Sequence, residues 1–128
     1  MYIRSILEHS CQVWHFSITE DENSDLERVQ KTACKIILKE NYTCYEDARK
    51  ILKLETLHER RDTLCLKFAK KCVKHEKAKD IFPLNTNMKT HHGNQFKVQH
   101  AKRARLLNST VPQLQRALNV ECRRKTTK

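Results

Sequence analysis

Residues 56–77 read Thr56-Leu-His-Glu-Arg-Arg-Asp-Thr-Leu-Cys-Leu-Lys-Phe-Ala-Lys-Lys-Cys-Val-Lys-His-Glu-Lys77, a run whose period is that of a helix. Stepping about 100° per residue from Leu57 collects Leu57, Leu64, Cys65, Phe68 and Cys72 on one side, with Leu66, Ala69 and Val73 further round. That arc is wide enough to pack against two neighbouring helices. Arg60, Lys67, Lys70, Lys71, Lys74 and Lys77 gather within about a third of the circumference, with Glu59 the only acid among them. The run opens on a capping box, Thr56-Leu57-His58-Glu59, in which hydroxyl and carboxylate satisfy exposed amide donors of the first turn.

The same start signal recurs upstream. Thr43-Cys44-Tyr45-Glu46 precedes Tyr45, Ala48, Ile51 and Leu52; Ser24-Asp25-Leu26-Glu27 precedes Leu26, Val29, Ala33, Ile36 and Ile37. Each cap is worth on the order of 1 kcal/mol. Nearest the start, Ile3, Ile6, Leu7, Cys11 and Trp14 share one face of a helix expected from about residue 2 to 14. The 128 residues hold one Gly and two Pro, which argues against all-β folds and glycine-cradled phosphate loops. The expected fold is therefore all-α: a small bundle of about four helices, with a basic, partly disordered C-terminal linker and a short final helix. Hydrophobic residues make up 38% of the chain, below the usual globular share, so the core should be thin.

Charge divides the chain. Residues 1–78 hold 15 basic and 13 acidic side chains, whereas 79–128 hold 11 and 2, so the second part carries most of the net +11. A basic excess of this size favours a polyanionic partner, nucleic acid before an anionic membrane surface. Residues 79–107, with Pro83, Gly93 and many polar side chains, lack a sustained apolar period and read as a linker. Within it, Lys102, Arg103 and Arg105 form a basic cluster suited to phosphate contact or nuclear localisation, and Arg123-Arg124-Lys125 forms another. Residues 108–128 read as a short helix, capped by Ser109 or Thr110 with Pro112 in its first turn, and a basic tail. No secretory signal or membrane span is expected, which makes this an intracellular protein whose six cysteines stay reduced.

Four motifs in order resemble the region after the polymerase in jockey-type non-LTR retrotransposon reverse transcriptases. They are Tyr2-Ile-Arg-Ser-Ile-Leu-Glu-His-Ser-Cys-Gln-Val-Trp14, Leu26-Glu-Arg-Val-Gln-Lys-Thr-Ala-Cys-Lys-Ile-Ile37, Tyr45-Glu-Asp-Ala with Leu54-Glu-Thr-Leu-His-Glu-Arg-Arg61, and Asn108-Ser-Thr-Val-Pro-Gln-Leu-Gln-Arg-Ala-Leu-Asn119. The resemblance covers nearly the whole chain. It implies a helical tail acting as a thumb or template-binding surface, downstream of a catalytic palm with its own metal-binding aspartates. Met1 falls inside the first motif, as though the frame opened within an older coding sequence and left an upstream polymerase domain behind. Arg49 and Thr32 depart from the family's usual residue types, which suits a decaying or domesticated copy as well as a functional one.

No catalytic residues are expected. Asp21, Asp25, Asp47, Asp62 and Asp80 are scattered, so no two-metal nucleotidyl-transfer site can be assembled from them. Cys11/His15 and Cys72/His75 have helical ligand spacing, but without Cys-x-x-Cys or ordered partners the cysteines read as small hydrophobes at apolar helix positions. His91-His92 reads as solvated, and no metal or other cofactor is expected. Trp14 reads as a packing residue rather than a base-stacking one. The expected activity is sequence-independent nucleic-acid binding through phosphates, by Arg60, Lys67, Lys70, Lys71, Lys74, Lys102, Arg103 and Arg105. The alternatives are a module docking a partner's helix on the apolar arc between Leu57 and Val73, or a product with no function.

Overall fold

A computed structural model describes residues 2–86, 95–100 and 102–126. They form an all-α bundle of seven helices: α1 (Tyr2–Leu7), α2 (Cys11–Trp14), α3 (Glu20–Leu38), α4 (Tyr45–Ile51), α5 (Leu57–Lys74), α6 (Ala104–Leu107) and α7 (Thr110–Thr126). Short 3₁₀ turns occupy Lys39–Asn41 and Glu76–Ile81. None of these helices is long and apolar enough to cross a membrane.

Helix α5 is the hub, packing against α2, α3 and α7. Its start is the capping box read from the sequence: Thr56 Oγ1 accepts from the Glu59 amide at 3.2 Å, and Glu59 accepts from the Thr56 amide. A second carboxylate reinforces it, because Glu27 of α3 accepts the Leu57 amide at 3.1 Å and the Tyr45 hydroxyl. Glu27 is thus the cap of another helix and not part of a box with Ser24. Helix α3 instead begins five residues before Ser24, at a box of Thr19 and Glu22. Glu20, Asp21 and Glu22 fill its first turn, where the helix dipole favours negative charge. For α4 the start lies one residue later than expected: Cys44 Sγ, not Thr43, caps the Asp47 amide.

The first helix is broken. Ser10 takes a left-handed conformation, φ 50°, so residues 2–14 form two short helices in place of one. The bend aims Cys11 and His15 into the bundle, while Ile3 and Ile6 stay largely exposed. Trp14 donates its indole N–H to the His9 carbonyl across the turn at 2.9 Å.

Residues beyond 78 complete the core. Cys65 and Ala69 of α5 pack with Phe82, Phe96, Leu114 and Leu118, flanked by Phe16, Leu66, Cys72, Val73 and Cys122. The segments around Phe82 and Phe96 meet in an antiparallel bridge, Leu84 to Phe96, and are clamped by α7. Asn119 takes both backbone groups of Phe96, at 2.8 and 2.9 Å, and Gln115, one turn earlier, spans the Ile81 carbonyl and the Gln99 amide. The segment expected as a linker therefore supplies two core aromatics where it is described; His91, His92 and Gly93 lie outside the described residues. The final helix, expected to be short, runs for 17 residues, because Pro112, Leu114 and Leu118 find a partner face on α5 that an isolated helix would lack.

Candidate nucleic-acid interface

The basic face of α5 divides into a paired half and an unpaired half. Toward its start, Arg60 Nε lies 2.6 Å from Glu8 Oε1, and Arg4 shares the same carboxylate at 3.7 Å, so Glu8 cancels much of the local charge. Lys70, half-buried, pairs with Glu121 of α7. Lys67, Lys71 and Lys74 are exposed and have no ion pair among the described residues. Their spacing of four and then three residues keeps them on one stripe, which spans about 10 Å at 1.5 Å per residue. Lys77 lies beyond the helix end, in the 3₁₀ turn.

Lys102, Arg103 and Arg105 are exposed but belong to another element. Arg103 is the N-cap of α6, Arg105 sits in its turn, and α6 packs against α7. Of the eight cations expected to contact phosphate, the structure places Lys67, Lys71 and Lys74 together on α5, Lys102, Arg103 and Arg105 together around α6, and ties Arg60 and Lys70 into ion pairs.

Between α5 and α7 runs an open groove of about 970 Å³. Phe16, Leu66, Ala117 and Val120 form its floor, and Asp62, Lys70, Glu121 and Arg124 line it as well. Two acids offset two bases there, so the groove holds no excess charge for a polyanion; the lysine stripe does.

The apolar arc of α5 is covered by the chain itself in part, Phe68 remaining 42% exposed. Leu57, Cys65 and Ala69 are buried under neighbouring helices, and Arg61 is buried with them at 0% exposure. Its Nη2 donates to Asn23 Oδ1, and the Trp14 ring covers the guanidinium at 5.4 Å. Burial pulls the Arg61 pKa below its usual value, with the charge of Glu27 the largest opposing pull. Trp14 is therefore engaged by a cation from within, and its partly buried ring also borders a surface hollow with Ile18, Leu26 and Val29. An apolar surface does remain open elsewhere: Ile3, Leu7, Ala33, Ile37, Leu52 and Leu54 surround a hollow of about 420 Å³ over α1 and α3.

The buried sulfhydryls are poorly disposed for chemistry. Cys11 and Cys65 face each other inside the bundle, and burial pushes the Cys65 thiol up to about 12, so almost none of it is the reactive thiolate at neutral pH. Cys34 is raised for the same reason. His15, expected to share a helix face with Cys11, is buried and turned to Asp62: its Nε2 lies 2.7 Å from Asp62 Oδ1. Burial lowers its pKa, against the opposing pull of the carboxylate, which favours the neutral ring. His58 Nδ1 reaches the other oxygen of Asp62 at 3.3 Å. Sequence reading overlooked this trio; the His58/Asp62 spacing of one helical turn was visible, but the arrival of His15 was not.

Fold and surface together define a small helical bundle with one basic helix stripe. No family model, curated protein or solved structure matches the chain.

Proposed function

We propose that this protein is a non-catalytic remnant of a retrotransposon reverse transcriptase, the helical region that follows the polymerase, and that it binds nucleic acid irrespective of sequence. The observation that carries the reading is the unpaired stripe of Lys67, Lys71 and Lys74 on a capped, well-packed helix. Ammonium groups held at this spacing displace condensed counterions without reading base edges, which makes the contact electrostatic and indifferent to sequence. Lys102, Arg103 and Arg105 extend the basic surface from a second element, and the order of the four motifs supports the ancestry.

Salt titration of binding to a labelled duplex tests this. Affinity should fall steeply with salt, and replacing Lys67, Lys71 and Lys74 together by Gln should make the log–log slope shallower by about 2.7, at about 0.9 per phosphate. Affinity that does not change between low and moderate salt overturns the reading. That result would favour a second one, in which the open apolar face around Ile3, Ile37 and Leu54 docks a protein neighbour, in the ancestral enzyme the polymerase body.

A further inference from the structure

We propose that His15, His58 and Asp62 form a zinc-binding site. Each of the three offers a ligand atom, a ring nitrogen or a carboxylate oxygen, and these atoms all lie within 4.8 Å of one another. In a tetrahedral zinc site with bonds of about 2.0–2.1 Å, ligand atoms stand about 3.3 Å apart. The two imidazoles approach different oxygens of Asp62, His15 Nε2 at 2.7 Å from Oδ1 and His58 Nδ1 at 3.3 Å from Oδ2, so a turn of the exposed carboxylate brings one oxygen beside both nitrogens as the metal enters.

The supports of the three ligands are firm. His58 and Asp62 sit one turn apart on α5, whose start is held by Thr56, Glu59 and Glu27. His15 follows the last turn of α2, and its ring packs against Phe16 at 4.9 Å and edge-on to His58 at 5.2 Å. The adjacent cation, Arg61, is turned away into Asn23 and Trp14. Two imidazoles and one carboxylate suit zinc better than calcium or magnesium, which prefer oxygen ligands. Three protein ligands leave the fourth position to water, and Asp62 also lines the α5–α7 groove, from which water and metal can arrive.

The test is titration of the reduced full chain with Co2+ as a spectroscopic stand-in, followed by displacement with Zn2+. One equivalent of Co2+ should bring up visible four-coordinate ligand-field bands without a near-ultraviolet thiolate charge-transfer band, and Zn2+ should remove them. His58→Ala and Asp62→Asn, both at exposed positions, should each weaken binding by at least about tenfold, the lower end of what losing even an outer partner costs a metal site. Helicity and melting of the metal-free variants should stay as in the parent. Saturable uptake missing at one equivalent, affinity in both variants equal to the parent's, or a thiolate band abolished by Cys44→Ser would each overturn the site and leave a hydrogen-bonded His–Asp–His cluster or a cysteine site instead.

Discussion

Arg61 lies four residues from both Leu57 and Cys65, on the side of α5 that faces the bundle. Spacing alone therefore marks it as a charge pointed inward. What satisfies it is not local: Asn23 is 38 positions away, and Trp14 belongs to α2. Nε and Nη1 have no hydrogen-bond partner among the described residues, so the side chain contributes volume and stacking more than a full hydrogen-bond set. Arg61→Ala should cost about 2–4 kcal/mol in urea unfolding, from the cavity and the orphaned Asn23. Arg61→Met, which keeps the volume and removes a poorly compensated buried charge, should cost about 1 kcal/mol or less. Equal losses in the two variants would show that the charge itself holds the fold.

At the scale of elements, the helices were legible because apolar spacing is local, whereas their ends were legible only in part. Thr56 matched because its box has no competitor. Ser24-x-x-Glu27 fits the same pattern, but Thr19-x-x-Glu22 lies upstream, gathers three acids into the first turn, and frees Glu27 to reach Tyr45 and Leu57. Thr19→Ala and Thr56→Ala should each lower stability by about 1 kcal/mol, whereas Ser24→Ala, inside α3 and exposed, should change it by less than about 0.5 kcal/mol. Thermal melts of the three variants make the comparison. The capping carboxylates add an acid dependence: Thr19 and Thr56 hold Glu22 and Glu59 below the usual carboxylate value. Their contribution is complete above the ordinary Glu pKa and fades as pH falls through the lowered one.

For the whole molecule, the seam between α7 and the segment it clamps matters most. Asn119, buried at 4% exposure, bonds both backbone groups of Phe96, and it ties two parts of the chain that no local pattern links. Asn119→Ala should cost about 1–3 kcal/mol by leaving buried backbone groups unpaired. If the bundle unfolds as one unit, fluorescence of Trp14 and helicity should still report a single midpoint, lowered together in the variant. Two separate midpoints would mean that α7 and its clamped segment form an independent unit.

The sequence by itself determined the all-α class, the position of the central helix and the stripe of Lys67, Lys71 and Lys74, because all three depend on separations of three and four residues along one helix. Tertiary structure decided which cations stay unpaired, since Glu121 takes Lys70 from 51 positions away and Glu8 takes Arg60 from another helix. It also made core out of an apparent linker, and it brought His15 to Asp62 across 47 positions. These outcomes rest on contacts between elements, where desolvation and geometry choose the partner and periodicity carries no information.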